Sequence, residues 1–218
     1  MIPRAPQRSN RLPGPVTYFA IDTQPVWKDT AWLGCARPLN AGHADAASAS
    51  TGECALSTRD DRDLDRQAGE AAMDSALRAA GAPASVSGAR SPFPPRSVAH
   101  SGGRGAAVVH RDPDRRVGID LEPSGAVNPD FARYFTTPAE RARCPFAEPT
   151  VLWTLKEAAW KAFDCDVSVP FHDLEIVFTR RGHVRGVRLL GRPTAARCLI
   201  LVPWPGWILS VLCVEDAP

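Results

Sequence analysis

Lysine is scarce in this chain. Of 26 basic residues only Lys28, Lys156 and Lys161 are lysines, and the last two share the nine-residue stretch 153–161. In an arginine-rich chain that placement suggests a compact point charge is wanted there, which a guanidinium does not supply. No apolar run approaches the roughly 20 residues that span a bilayer, so no membrane partner is expected. No Cys-x-x-Cys pair occurs among Cys35, Cys54, Cys144, Cys165, Cys198 and Cys213. Their scatter argues against a zinc site or a disulfide scaffold and leaves buried free thiols as the expectation. A strong excess of one charge is also missing: a net charge of +2 is too small to point to nucleic acid. The N-terminal stretch carries Arg4, Arg8, Arg11 and several prolines but not the apolar block of a secretory signal. A cytoplasmic location is therefore expected.

What is present has an ordinary globular balance. The 218 residues are 44% apolar and 23% charged, enough for one large domain or two small ones. Residues 1–15 are expected to be loose, 17–21 a first strand and 38–52 a flexible loop. A helix is expected over 57–80, opened by Ser57-x-x-Asp60 and striped by Leu64, Ala68, Ala72, Met73, Ala76 and Leu77. Gly81 and Pro83 end it. Strands over 105–110 and 116–121, joined by Asp112-Pro113-Asp114, read as a hairpin. A short helix is expected over 129–135. Another starts at Thr137-Pro138-x-Glu140, a capping box with proline in the first turn. Residues 150–163 form the next helix, and four strands of an antiparallel sheet follow over 174–178, 183–190, 196–202 and 207–214.

Two stretches carry the chemistry. Val117-Gly118-Ile119-Asp120-Leu121-Glu122 reads as a buried strand whose two carboxylates, at i and i+2, share a face. Trp153-Thr154-Leu155-Lys156-Glu157-Ala158-Ala159-Trp160-Lys161 opens a helix with Glu157 and Lys161 four apart on one face. Three carboxylates with a cation beside them suit Mg²⁺, and Mn²⁺ takes the same oxygen donors. Glu followed by Lys at i+4 is also an ordinary surface pair. Against that stand the rarity of lysine here and the two flanking tryptophans.

Gly118-Ile119-Asp120 followed by Trp153-Thr154-x-Lys156-Glu157-Ala158-x-x-Lys161 resembles the two-part signature of 4′-phosphopantetheinyl transferases. The chain length resembles the two-halved, monomeric surfactin/enterobactin type. Ser97-Val98-Ala99-His100-Ser101 resembles that family's Ser-x-x-His-Ser box, with Ala99 where a hydroxyl residue is usual, and 91–95 resembles a shortened proline-rich connector. The resemblance implies an α+β fold: a pseudo-two-fold pair of similar subdomains, each a small antiparallel sheet with a long helix. The resemblance places the active site at their interface. The N-terminal subdomain would be 1–112 and the C-terminal one, with the metal motifs, 113–218.

The resemblance also implies the reaction: transfer of 4′-phosphopantetheine from coenzyme A to a serine of an apo acyl or peptidyl carrier protein. It assigns Asp120, Glu122 and Glu157 to Mg²⁺, Lys161 to the pyrophosphate with Lys156 close by, and His100 to a coenzyme A phosphate. Ser101 adds a donor, and Glu157 is the candidate general base. Arg62 matches one of two nucleotide-clamping arginines; Glu70 stands where the second belongs, and Arg90 is a further candidate. The segment 128–149, with Phe131, Tyr134, Phe135, Phe146, Arg133, Arg141 and Arg143, is where the carrier would dock. Two other functions remain open: an inactive carrier- or nucleotide-binding adaptor of the same fold, and a Mg²⁺-dependent nucleotide hydrolase.

Overall fold

A computed structural model of the chain describes residues 19–26, 31–38, 59–81 and 94–215. Two antiparallel sheets lie face to face, each with one long helix on its outer side. The first has the order β1-β2-β4-β3, from β1 (Phe19–Val26), β2 (Ala31–Pro38), β3 (Arg96–Ser101) and β4 (Arg104–His110). The second has the order β5-β9-β8-β7-β6, from β5 (Arg115–Pro123), β6 (Leu174–Phe178), β7 (Val184–Leu189), β8 (Arg192–Leu201) and β9 (Trp207–Glu215). Helix α1 (Arg59–Ala79) covers the first sheet and α4 (Pro149–Ala162) the second. Between β5 and α4 run a 3-10 turn (Pro129–Phe131) and two short helices, α2 (Ala132–Phe135) and α3 (Pro138–Arg143). The expected α+β fold is present. No helix among the described residues is long and apolar enough to cross a membrane.

Alternation along each strand builds three apolar layers. Leu33, Ala106 and Val108 meet Val117, Ile119, Leu121, Leu209 and Val211 between the sheets. Ala36, Ala107 and Val109 turn the other way, onto Ala72, Ala76 and Leu77 of α1. Leu174, Ile176, Leu212 and Val214 pack beneath Leu152, Leu155 and Ala159 of α4. Glycine and alanine let the helices sit close. A side chain at Gly34 or Gly105 would strike the α1 backbone at Ala72 or Ala68, and one at Gly118 would strike the Ala158 carbonyl. Gly118 is thus the reason α4 lies directly on the strand that bears the acids.

The hairpin expected between the strands of 105–110 and 116–121 is corrected. The turn exists, with Arg115 N donating to Asp112 O at 3.3 Å, but β4 pairs with β2 and β3 while β5 pairs with β9. The turn crosses from one sheet to the other. Ala106 to His110 are all buried, the mark of a strand covered on both faces rather than one ribbon of a half-solvated hairpin. The helix expected over 57–80 is α1, ended by Gly81 at φ +71°; Ser57 and Pro83 lie outside the described residues. So do residues 1–15 and, of the loop expected over 38–52, all but Pro38, which ends β2. Strand β2 was not foreseen. Cys35 and Cys213 are buried and Cys144, Cys165 and Cys198 half-buried, all as free thiols.

Candidate active site

Strand β5 presents Ile119 and Leu121 to the inter-sheet core and Asp120 to α4. Residues four apart on α4 share a face, so Lys161 comes down beside Asp120 one turn after Glu157. The Lys161 ammonium donates to Asp120 Oδ1 at 2.8 Å and to the Ile119 carbonyl at 3.1 Å. That contact spans 41 residues and joins the two motifs. Asp120 is only 6% exposed, and its second oxygen, Oδ2, is buried with no hydrogen-bond partner.

The neighbouring acids crowd one another. Burial pushes the Glu122 carboxyl up to about 7, the Asp120 charge pushes it further, and Glu157 adds to the effect. Burial and then Asp120 also hold Glu157 above the usual carboxylate range. Asp120 itself is raised, burial outweighing the opposing pull of Lys161. From the first sheet, Ser101 Oγ donates to Glu122 Oε2 at 3.1 Å. The Gly102-Gly103 turn that follows is tied to α1, Gly103 N donating to Asp65 Oδ1 at 2.5 Å. Both sheets therefore contribute to one acidic spot.

Among the described residues no three His, Cys, Asp or Glu side chains already form a closed metal group. The donors are instead partly engaged, Asp120 Oδ1 by Lys161 and Glu122 Oε2 by Ser101. Mg²⁺ rarely takes an all-protein cage; it prefers one or two carboxylates plus waters and substrate phosphates. An unsatisfied, buried carboxylate oxygen beside two carboxylates of raised proton affinity is what such an open site leaves behind. The residues present fit a divalent, oxygen-loving cation.

Lys156 is a correction. It is fully buried and faces away from the acids, its ammonium bound to both oxygens of Glu140 at 3.0 and 2.9 Å. The reason is helical phase: Lys156 and Lys161 are five residues apart, about 140° around the helix. Glu140 also takes the Ile176 amide at 2.7 Å and closes the Thr137 capping box. Lys156 thus pins α3 to α4 and to the free edge of β6.

The coenzyme-side residues divide. His100 lines a cavity of about 290 Å³ between α1 and β3, with Arg66, Gly69, Glu70, Met73, Asp74 and Val98. Glu70 is paired with Arg66 at 2.7 Å, so the carboxylate that departs from the family pattern has its charge offset by a neighbour one turn away. Arg62 is exposed on the first turns of α1. Arg90 lies outside the described residues.

A second cavity, of about 620 Å³, opens beside Glu122 and is walled by Val127, Phe131, Arg133, Tyr134 and Trp153. Phe131 and Tyr134 are 48% and 61% exposed. Phe135 is buried, in an edge contact with Trp153 at 5.1 Å, and Phe146 packs on Phe178. Arg141 is exposed, but its guanidinium is engaged, donating to Thr136 O and Oγ1 at 2.6 and 3.0 Å.

Asp65 and Glu140 are site-shaping residues that the sequence did not reveal. Glu140 was visible only as a capping residue; nothing local links it to Lys156, 16 residues on. Arg66 was visible only as one of several helix arginines, and its pairing with Glu70 at i+4 was the available signal. No curated protein matches this chain. Residues 116–209, which include both motifs, match the family model of the 4′-phosphopantetheinyl transferase superfamily. Over that segment, with its acids on β5 and its lysine on α4, the chain is similar to this superfamily.

Proposed function

We propose that this protein transfers 4′-phosphopantetheine from coenzyme A to a serine hydroxyl of an apo acyl or peptidyl carrier protein in the cytoplasm, working as a monomer of two subdomains, 1–112 and 113–218. The observation that carries this is the 2.8 Å contact of Lys161 with Asp120 Oδ1, with Asp120 Oδ2 left buried and unbonded. It brings both motifs to one point with a donor oxygen in reserve. Asp120, Glu122 and Glu157 are the residues that would hold Mg²⁺, or Mn²⁺ with the same oxygens. When bound, the ion supplies charge neutralisation on the pyrophosphate and on the leaving nucleotide.

Transfer of a phosphoryl group is mainly positioning and electrostatics. An ammonium has three donors. Lys161 uses two, on Asp120 and on the Ile119 carbonyl, and the third is assigned to the pyrophosphate. His100 and Arg66, which share the smaller cavity, are assigned to phosphates at the nucleotide end, with Arg62 one turn earlier on the same helix. Ser101 holds Glu122 in place rather than a phosphate.

Glu157 is the proposed general base, and burial raises its proton affinity. The serine proton passes to its carboxylate as serine oxygen bonds to the β-phosphorus. The bond from that phosphorus to the bridging oxygen breaks, and adenosine 3′,5′-bisphosphate leaves with the oxygen. Phe131 and Tyr134, exposed beside Glu122, are assigned to the carrier.

The test is to incubate the protein with coenzyme A, Mg²⁺ and an apo carrier, then weigh the carrier. A gain of one phosphopantetheine group is expected. Tight carrier binding with no gain would make the protein an adaptor, and nucleotide release with no gain a hydrolase.

A further inference from the structure

Among the described residues, a further cavity lies at the far end of α3. It measures about 640 Å³ and is lined by Ala142, Arg143, Phe178, Thr179, Arg180 and Arg185. Three arginines from three separate elements line it: Arg143 closes α3, Arg180 sits in the β6–β7 turn and Arg185 lies on β7. No carboxylate lines it.

Most described arginines elsewhere are occupied. Arg66 binds Glu70, Arg115 binds Asp112, Arg188 binds Glu175 and Arg197 binds Glu215. Arg104, Arg111 and Arg133 lie over aromatic rings, and Arg141 holds Thr136. Arg143, Arg180 and Arg185 have no ion pair among the described residues, and all three are exposed. Gathering three unpaired cations in one hollow costs repulsion. A cleft of one sign also focuses the field and draws in the opposite charge. Guanidinium forks match the geometry of carboxylates and phosphates.

The hollow is built firmly. Glu140, five residues earlier than the 145 connector, is locked by Lys156 and by the Ile176 amide of β6. Gly182, in the turn that bears Arg180, packs against Pro145, leaving no room for a side chain. From Arg143 the chain runs only five residues to Glu148, which accepts from Ser124 Oγ at 2.8 Å and Gly125 N at 2.6 Å, just beyond Glu122 on β5. Five residues reach at most about 17 Å. Tyr134 lies nine residues before Arg143, a reach of at most about 32 Å, so the hollow and the exposed aromatics lie within the span of one small helical partner.

We propose that Arg143, Arg180 and Arg185 form an anion-binding pocket that seats acidic side chains of the carrier protein, away from the serine that reacts. The proposal rests on the transferase function proposed above, and it adds β6–β7 residues to a docking surface otherwise confined to 128–149. The pocket supplies attraction and orientation, while the aromatic rim beside Glu122 supplies apolar contact.

The full-length R180E/R185E variant tests it, with R180K/R185K as the charge-keeping control and circular dichroism to confirm folding. The expected result is a KM for carrier raised roughly tenfold in R180E/R185E, since loss of complementary charge acts on encounter and affinity. KM for coenzyme A and kcat stay unchanged, and the lysine variant keeps most of the affinity. The wild-type advantage should shrink as salt rises. An unchanged carrier KM in a folded, active R180E/R185E protein overturns the pocket while leaving the transferase function intact. A raised KM for coenzyme A instead also overturns it, because the anion bound would be the nucleotide. Absence of transfer by the wild-type protein removes the transferase function and the pocket with it.

Discussion

Helix α4 carries two lysine–carboxylate pairs, and they are built differently. Lys156 and Glu140 are both wholly buried, and each carboxylate oxygen has at least one donor. The side chains of Lys161 and Asp120 are 28% and 8% exposed, and one Asp120 oxygen has no partner. Removing charge from water is expensive unless the geometry and further hydrogen bonds repay it. The first pair is repaid inside the protein, by an amide of β6 and by the cap of α3. The second is not repaid in full, since Asp120 Oδ2 has no hydrogen-bond partner, and a buried unpaired oxygen of this kind is one mark of a functional site. The saturated pair holds the frame, and the unsaturated pair is the one to which the proposed function assigns the chemistry.

Lys161→Ala breaks the comparison on the catalytic side and has the largest expected effect. Loss of a preorganised charge on a reacting phosphate typically costs about 10²- to 10³-fold in turnover. The fold should survive, because Asp120 is already pushed toward its protonated form by burial and can take up a proton when its partner is gone. Steady-state kinetics alongside thermal melting checks this. A variant that keeps full turnover would place the pyrophosphate elsewhere.

Lys156→Met breaks it on the other side. Breaking a buried pair by removing one partner costs about 3–5 kcal/mol, and Glu140 would be left charged against the β6 edge. Denaturant unfolding should show that loss. Adding Glu140→Gln, whose amide oxygen can still accept from Ile176 N, should recover part of it. What protein remains folded should retain coenzyme A affinity, since Lys156 touches no part of the candidate site. A selective loss of coenzyme A binding without loss of stability would reverse the assignment of the two lysines.

This contrast marks where the sequence was legible. Asp120 and Glu122 share a face by a period of two, Glu157 and Lys161 by a period near 3.6, and both periods act over a few residues. The sequence therefore placed these four side chains on the right elements and faces. Lys156 has the same residue type in the same stretch, and only helical phase separates it from Lys161. Its partner Glu140 lies on another element, so no local pattern announced it. The same limit explains the strands. The turn at Asp112-Pro113-Asp114 was visible, but which sheet each strand joins depends on what covers its second face. The six consecutive buried residues of β2, Ala31 to Ala36, show neither alternation nor helical stripe, and so passed unnoticed.

A third ion pair sharpens the comparison from the opposite extreme. Arg66 and Glu70 are 57% and 62% exposed, and an exposed pair of this kind contributes about 0–1 kcal/mol. Stability gives no reason for it, yet it lies on the rim of the cavity that holds His100. If that cavity receives phosphates of coenzyme A, Glu70 repels them and occupies Arg66 at the same time. Glu70→Arg would lift both handicaps, so KM for coenzyme A should fall a few-fold while melting shifts by no more than about 0.5 kcal/mol in equivalent stability. Arg66→Ala should move KM the other way with the same small effect on melting. Kinetics at varied coenzyme A and saturating carrier separates this from a docking effect. If Glu70→Arg leaves that KM unchanged, the nucleotide end of coenzyme A lies outside this cavity, and the 2.7 Å pair is only a surface bridge along α1.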